Sequence, residues 1–401
     1  APAGTYLQFG RNAFATVQGG VVGVDAAGTV HVAAGTFNEK VVITKPLTLL
    51  GANANVPFGS RGAETRVQCT GALNGHTMMT VQADNVTING FELYGPGSNQ
   101  GITSQNDPIG RSNLSFTFNH VHDIGTTRGS GNIYGFHYIL ETDTPSGITV
   151  TDNLFENIGN KTSLEGHAGA IYFGDSGSTG TLDDVLIERN IVRNVAVTGA
   201  FKESWGIIIG YATLTDLIIR NNEISAISGG YAPVGIYLGG NTPGALVCNN
   251  TVSAVKTGIK LVSNSGAATS VITLNDLSGT TTGISASYSY AVPAASNWFG
   301  SATGPKISSN PGGTGAVVSG AKVDFSPWLG TGAEDPVTGA AIGFQPTLTP
   351  LYYLPLGLKF TAQPQDAALG ATLATVTVQV TNELGEVATQ FTGDVTLAIG
   401  S

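Results

Sequence analysis

Titratable side chains recur in three successive segments of this chain, in loops that we place beside short glycine-led strands. The first segment carries His137, the second Glu165 and His167, and the third Lys202 and Glu203. A carboxylate beside a histidine and a lysine can act as acid, base or charge stabiliser during cleavage of a sugar chain. The sequence therefore predicts a catalytic group of these five residues, if the fold brings the segments together.

Aromatic residues accompany the titratable group. Tyr172, Trp205 and Tyr237 fall in the same segments or in the next one. Their rings offer apolar faces on which sugar rings can stack, so they predict a carbohydrate-binding surface. The alternative is that loops of any repetitive protein carry some polar residues, in which case the group has no catalytic role.

An internal repeat supplies the elements that must position these residues. Seven asparagines each lie three positions after one apolar residue and two positions before another, and neighbouring ones are 25 to 37 residues apart. They are Asn89, Asn119, Asn153, Asn190, Asn222, Asn250 and Asn275. A repeat of this length indicates stacked structural units.

Each unit contains short β-branched runs bounded by Gly, Asn, Asp and Ser, for example 147–153 and 206–209, which predict strands and turns. Stacked coils of such strands form a parallel β-solenoid. One inward-facing asparagine per coil would hydrogen-bond the corner backbone and stack into a ladder. The alternative is that these are ordinary turn asparagines. Seven occurrences with an apolar residue three positions before and another two positions after argue against it.

Over roughly residues 14–290 the repeat resembles the right-handed parallel β-helix proteins of the pectate-lyase-like group. Residues 29–43 and 45–51 are similar to the first coil of many secreted β-helix proteins, including pectin methylesterases. The resemblance implies an all-β fold, a right-handed parallel β-helix with an N-terminal cap, whose enzymes work on the outer surface. The catalytic patterns of polygalacturonases, pectate lyases and pectin methylesterases are missing from this sequence.

The repeat frame also predicts an assembly interface on an outer face. Four positions before the asparagine, at a place that should face outward, early coils have Asn85, Ser115 and Thr149. Later coils have Leu186, Ile218, Leu246 and Val271 at this place. A contiguous apolar surface is usually covered. Residues 291–355 folding back along the solenoid and a second copy of the protein are the two alternatives for the cover.

After Ile284 the frame is lost, and we expect three parts: a solenoid over 1–290, a capping segment and linker over 291–355, and a partial sandwich over 356–401. In the capping segment Trp298, Phe299 and Trp328 are expected to cover the open end of the last coil. Residues 374–385 resemble bacterial immunoglobulin-like repeats, so the last part is expected to be Ig-like. Residues 358–364, 372–382 and 394–399 alternate like antiparallel strands, but such a sandwich needs about 100 residues. Either the natural chain continues past Ser401, which we favour, or a partner completes the sheet.

Composition narrows the function classes. Charged residues make up 11% of the chain, the net charge is −10 and no basic run occurs, which disfavours nucleic acid as a partner. No apolar stretch approaches the roughly 18 residues that cross a membrane. The start at Ala1, without a signal sequence, is typical of a mature secreted protein.

Cofactor motifs and a disulfide are not predicted. No His/Cys metal spacing appears, so we expect no metal or other cofactor, although calcium stays open. His120, His122 and Asp123 lie close in sequence, but a solvated turn explains them equally well. Cys69 and Cys248 lie several coils apart, beyond disulfide reach. In the repeat frame Cys248 should face outward, either as a thiol able to cross-link copies or as a small, partly covered residue.

Two function classes remain. In the first, the chain is an extracellular structural or adhesive protein of a bacterial surface, a stiff building block of a layer, sheath or filament. Its partners would be further copies of itself or a cell-surface glycan. In the second, it is a secreted polysaccharide lyase or glycoside hydrolase that uses the group around His167. The low charge, the apolar outer face and the incomplete catalytic signatures favour the first class, and so we lean against an enzyme.

Overall fold

The protein is described here by a computed structural model. The described residues are 7–104, 110–140, 143–159, 166–174, 180–262, 269–287, 291–335, 341–349, 351–352, 357–363, 370–372, 375–381 and 387. Within them, the helices are an α-helix at Val17–Gly23 and a 3-10 helix at Gly71–Leu73. None of the described helices has the length and apolar character that a bilayer crossing requires.

Parallel strands stack in register on three faces. The first face is a sheet of nine strands. They are Gly28–His31, Leu47–Leu50, Val86–Asn89, Leu114–Thr117, Ser146–Thr151, Thr181–Glu188, Thr213–Arg220, Leu246–Cys248 and Val271–Thr273.

The second and third faces belong to one larger sheet. The second face has Gly35–Asn38, Thr65–Gln68, Glu92–Tyr94, His120–His122, Leu154–Gly159, Ile191–Ala196 and Glu223–Ser228. The third has Val41–Ile43, Met79–Val81, Gln100–Ser104, Ile133–Tyr138, Ala168–Phe173, Ser204–Ile209, Val234–Leu238, Pro305–Lys306 and Gly315–Ser319. Two long strands, Thr251–Leu261 and Asp276–Ala286, run across both faces and join them. The predicted all-β class with stacked parallel strands is confirmed.

Alternating side chains build the core of each coil. In the strand Thr181–Glu188, Val185 and Ile187 point inward with at most 1% exposure, while Leu186 between them is half-buried on the outside. This two-residue period follows from the pleat of a strand. At the N-terminal end, Val17 and Val21 of the α-helix are buried in the same core, and the helix packs against Val41–Ile43.

A ladder of side-chain amides lines the corner between the first and second faces. In each rung Oδ1 accepts hydrogen bonds from the backbone N–H and Nδ2–H of the preceding rung, for example 3.1 and 3.0 Å from Asn153 to Asn190. Nδ2 of Asn190 also donates to Val150 O at 2.8 Å. The rungs are Asn119, Asn153, Asn190, Asn222, Asn250, Asn275 and Asn297. Each rung is completely buried.

Asn89 lies outside this ladder, which corrects the predicted set. The strand Val86–Asn89 pairs with its neighbour so that Asn89 lies opposite Thr117, two residues before the corner. The place equivalent to Asn119 is occupied by Phe91, whose N–H donates to Asn119 Oδ1 at 2.9 Å. Asn89 instead exchanges two hydrogen bonds with Asn55. At the other end, Asn297 continues the ladder beyond the predicted solenoid, and Gly315–Ser319 continues the third face.

The residue before each rung adopts a left-handed backbone conformation, with φ between 51 and 59°. These residues are Phe118, Asp152, Arg189, Asn221, Asn249, Leu274 and Ser296. Such a conformation is costly for most L-residues. The buried amides that follow hold the corner in shape, because they give its backbone groups their hydrogen-bond partners.

The apolar outer row lies on the first face. Leu186, Ile218, Leu246 and Val271 are register partners on successive strands, and Val271 is 39% exposed. In the earlier coils the partners are Thr149, Ser115 and Thr87. Asn85 does not belong to the row, because Thr87 takes that place. Beside the row, Arg220 donates to Glu188 at 2.7 Å.

The capping segment packs on the last coils. Phe299 and Trp328 are buried, whereas Trp298 is half-buried. Further on, Phe344 is 1% exposed and exchanges backbone and amide hydrogen bonds of 2.8 and 2.9 Å with Asn249. Part of this segment therefore folds back to the corner beside the apolar row.

Neither cysteine is an exposed thiol. Cys69 and Cys248 are both free and buried, and burial raises the pKa of the Cys69 thiol to about 11 and also raises that of Cys248. The predicted outward position of Cys248 is thus a covered one. Beyond the cap, Gly357–Ala362 and Thr377–Thr381 form an antiparallel hairpin. The expected last strand, 394–399, lies outside the described residues.

Candidate functional site

The third face carries two outer rows of side chains that frame a groove. Tyr134, Gly169, Trp205 and Val234 are register partners on four successive strands. Three residues further along the same strands, the partners are His137, Tyr172, Ile208 and Tyr237. The predicted aromatic residues therefore stand on strands rather than in loops, and the parallel register stacks them coil over coil.

The groove has a volume of about 470 Å³. Its walls include four aromatic residues on strands, Tyr134, Tyr172, Trp205 and Tyr237, a fifth, Tyr211, just after the strand Ser204–Ile209, and the polar residues Asn132, His167 and Glu203. We call these eight residues the aromatic groove. An open cleft with apolar walls and a few polar groups is the usual form of a ligand site.

Ring contacts fix the aromatic side chains in place. The centroids of Tyr134 and Tyr172 are 4.8 Å apart, and those of Trp205 and Tyr237 are 6.2 Å apart. The His167 ring stacks on Trp205 at 5.1 Å. Tyr134, Tyr172 and Trp205 are each 6% exposed, so their rings are held by packing before any ligand arrives. Such preorganisation lowers the entropy cost of binding.

Trp205 has a donor without an acceptor. Its Nε1–H is buried and has no hydrogen-bond partner within the described part of the chain. An unpaired buried donor costs free energy, and a buried indole N–H normally finds an acceptor. A hydroxyl or ring oxygen of a bound molecule is a suitable acceptor.

His167 and Glu203 come together in the groove. The Glu203 backbone N–H donates to His167 Nδ1 at 3.1 Å, so the neutral ring carries its proton on Nε2. Burial, and then the nearby Lys202 ammonium, lower the pKa of His167. The Glu203 carboxylate lies 4.0 Å from Lys260 Nζ, which also lies 5.3 Å from the centre of the Tyr237 ring. The groove thus holds an imidazole, a carboxylate and an ammonium group.

Of the other predicted catalytic residues, His137 and Lys202 do not line this groove. Both ring nitrogens of His137 are engaged: Gln100 Nε2 lies 2.8 Å from its Nδ1, and Gly174 O lies 3.2 Å from its Nε2. Its ring stacks on Tyr172 at 4.8 Å and supports that side chain. Lys202 is half-buried beside the groove. Glu165 lies outside the described residues.

A second cluster of titratable residues lies on the second face and was missed by the sequence analysis. His120 and His122 belong to the strand His120–His122 and are not in a solvated turn. Two residues of a strand separated by one position point to the same side. The preceding strand places Glu92 directly opposite His120, and the following strand places Glu156 opposite His122. The available signal was the His-x-His pattern around Val121, the apolar residue two positions after Asn119 in the repeat.

Hydrogen bonds connect this cluster on both sides. His122 Nε2 lies 2.8 Å from Glu92 Oε1, and His122 Nδ1 lies 2.7 Å from Asp123 Oδ2. His120 Nε2 lies 2.8 Å from Glu156 Oε1, and the two imidazoles stack at 4.2 Å. The Arg66 guanidinium binds both oxygens of Glu92, at 2.7 and 2.8 Å. Glu92 is 5% exposed, so an ionised carboxylate is buried here among cationic partners.

Opposing effects shift the pKa values in this cluster. Burial alone would raise the pKa of Glu92, but hydrogen bonds from His122 and Arg66 outweigh it and lower the pKa to about 2. Burial lowers the pKa of His120, and the nearby His122 lowers it further. For His122 the burial effect is outweighed by its hydrogen bonds to Glu92 and Asp123, so its pKa is raised.

An NMR titration of the imidazole signals is expected to separate these two histidines. His122 should titrate above the ordinary value of about 6.5 and His120 below it, because His122 has two carboxylate partners. In Glu92→Gln the pKa of His122 should fall, since one of these charges is removed. Superimposed titration curves for His120 and His122, or the reverse order, would contradict the described contacts.

The chain matches no protein-family model and no curated protein sequence. Support for stacked parallel strands therefore comes from the strand pairing in the structure alone.

Proposed function

We propose that this protein is an extracellular adhesive protein, a right-handed parallel β-helix that binds a polysaccharide along the aromatic groove. The proposal is carried by one observation, the four strand aromatics of the groove on successive coils with the unpaired Trp205 N–H among them. Successive coils are about 4.8 Å apart. An extended glycan lying along the solenoid axis would therefore meet a ring of the protein at every coil.

The charges of the groove favour a neutral glycan. Glu203 and Lys260 lie close enough to offset each other's charge. The chain as a whole carries a net charge of −10, which repels polyanions such as acidic polysaccharides. Hydroxyl groups can instead accept from Trp205 Nε1 and bond to Asn132 and Glu203.

Two further features support a role at a surface. The apolar row of Leu186, Ile218, Leu246 and Val271 is a suitable contact for a second copy of the protein, and Val271 is its most open member. The hairpin of Gly357–Ala362 and Thr377–Thr381 is compatible with the beginning of an immunoglobulin-like sandwich. We therefore retain self-association in a surface layer, sheath or filament as part of the proposal.

A secreted polysaccharide lyase or glycoside hydrolase is the second candidate. It is favoured by the position of His167 and Glu203 in the same groove as the aromatic residues. Because His167 Nδ1 accepts from the Glu203 backbone N–H, the neutral imidazole can offer its Nε2–H as a donor to a sugar oxygen, and the Glu203 carboxylate is the group available as a base. The sequence resemblance to the pectate-lyase-like group, whose enzymes work on the outer surface, also supports this candidate.

A binding screen against neutral and acidic polysaccharides tests both candidates. We expect retention of a neutral glycan, and a loss of affinity of about tenfold to a hundredfold in Tyr237→Ala and Trp205→Ala, because each removes a stacking ring. Trp205→Phe keeps a ring but removes the N–H, so it should lie between these variants and the wild type.

Tyr352→Ala, an exposed aromatic change outside the groove, should bind like the wild type. Chain cleavage that is lost in both Glu203→Gln and His167→Ala would favour the enzyme. A wild-type protein that neither retains nor cleaves any of the glycans would contradict both candidates.

A further inference from the structure

The cluster on the second face has the composition of a metal site and is separate from the aromatic groove. Glu92, His120 and His122 each offer one ligand atom, and these atoms all lie within 4.8 Å of one another. Two imidazoles and a carboxylate suit zinc and other late first-row divalent cations, whereas calcium and magnesium prefer all-oxygen sites. We propose that these three residues bind a divalent transition-metal cation, with Zn²⁺ as the expected occupant.

The backbone holds the three ligands before any metal binds. Glu92 and His120 are paired residues on adjacent parallel strands, and His122 stands two positions further on the same outer side. Glu92 and His122 are 5% and 9% exposed, so their side chains have little freedom. A metal site built on strands in this way needs only small side-chain movements to close.

Asp123 is placed as an orienting partner. Its Oδ2 lies 2.7 Å from Nδ1 of His122. Histidines that bind metals almost always donate their other ring N–H to a carboxylate, a carbonyl or water, and this contact fixes the ring and the tautomer. With Nδ1–H bonded to Asp123, the lone pair of Nε2 is directed towards Glu92.

The contact between His122 and Glu92 requires a cation. Nε2 and Oε1 are 2.8 Å apart, and two lone pairs cannot face each other at this distance without a positive charge between them. A proton satisfies the contact in the described structure. A metal ion at about 2.0 to 2.2 Å from each atom would take the place of that proton.

His120 completes the ligand set after one rearrangement. Its Nε2 now lies 2.8 Å from Glu156, and its side chain is 18% exposed, which leaves room for the ring to turn. Three carboxylates, Glu92, Asp123 and Glu156, surround the cluster, and Arg66 pairs with Glu92 while Arg193 pairs with Glu156. Asp123, together with loss of the proton between His122 and Glu92, therefore offsets the larger part of the added charge. With three protein ligands a fourth position stays open for water, as in exchangeable zinc sites rather than closed structural ones.

Calorimetric titration of tag-free, chelator-treated protein with Zn²⁺ tests the proposal. We expect one Zn²⁺ per chain, and no comparable binding of Ca²⁺. Glu92→Gln and His122→Ala should weaken binding at least a hundredfold, because each removes a ligand. Asp123→Asn should weaken it by about ten- to a hundredfold through the orientation of His122. His76→Ala, which alters an exposed histidine elsewhere, should leave the affinity unchanged.

A second measurement covers variants that fold poorly. His120 is the more exposed of the two histidines, so His120→Gln should keep the wild-type circular dichroism spectrum. The same variant should bind Zn²⁺ at least tenfold more weakly than the wild type. Zn²⁺ should also raise the melting temperature of the wild type, as a ligand of the folded state does, and raise that of His120→Gln by less at the same Zn²⁺ concentration. Absence of stoichiometric binding, preference for Ca²⁺, or unchanged affinity in both His122→Ala and His120→Gln would overturn the proposal.

Discussion

Replacing Asn190 with alanine is expected to lower the free energy of unfolding by about 4 kcal/mol, since four buried hydrogen bonds are worth about 1 kcal/mol each. The side chain accepts two bonds from Asn153 and donates to Val150 O and Asn222. Its removal leaves the Asn153 N–H buried without an acceptor, which adds to the cost. Urea denaturation followed by tryptophan fluorescence measures the change, and Trp205 lies in the same coil.

Asn89→Ala is the matched control for this experiment. Asn89 has the same sequence frame and is also buried, but its side chain exchanges only two hydrogen bonds, both with Asn55. We expect a loss of about 1 to 2 kcal/mol. Equal losses in the free energy of unfolding for Asn89→Ala and Asn190→Ala would show that the ladder does not contribute more to the stability of the solenoid than an ordinary buried asparagine.

Gly229→Ala is expected to cost about 2 to 4 kcal/mol, or to prevent folding. Gly229 has a φ of +79° in the turn between Glu223–Ser228 and Val234–Leu238. A methyl group there would overlap the carbonyl oxygen of Val197 on the preceding coil. The left-handed conformation costs an alanine about 1 kcal/mol, and forced overlap in a packed region typically adds about 1 to 3 kcal/mol. Thermal and urea unfolding measure the loss.

Gly244→Ala separates the two contributions to this cost. Gly244 has a similar φ of +71°, but its added methyl group would meet no atom within 4 Å. This variant should lose only about 1 kcal/mol, the conformational part. Because Tyr231 N–H donates to Lys202 O at 2.7 Å just after the glycine turn, Gly229→Ala should also disturb the groove. A Gly229 variant as stable as the Gly244 variant would contradict the described stacking of these coils.

The repeat frame predicted much of the fold because the rung asparagine is a strong local signal. Between Asn119 and Asn275 its period follows the coil, and the apolar residues on either side point into the core. The frame failed at Asn89, where Gly90 supplies the left-handed corner and Phe91 takes the rung position. It also missed Asn297, where Ala294 and Phe299 fill the apolar places but the strands around it are short.

The site was less predictable than the fold. Tyr172, Trp205 and Tyr237 meet because the coils are in register, and the spacing of the asparagines predicts that register approximately. Whether a nearby polar group can contact a ligand depends on the hydrogen bonds that it makes to neighbouring coils. His137 makes such contacts to Gln100 and Gly174, and these cannot be read from the sequence. The cluster of Glu92, His120 and His122 depends on pairing between strands about thirty residues apart, which no local motif encodes.

The amide ladder makes the solenoid electrically asymmetric. Every rung turns its side-chain carbonyl towards the coil before it, from Asn153 to Asn297. The dipole moments of these aligned groups add, as those of peptide groups do in a helix, and bonded amides polarise one another. Two such rods meeting head to tail bring unlike poles together, whereas head-to-head contact opposes like poles. An end-to-end contact between two copies would thus favour the head-to-tail arrangement.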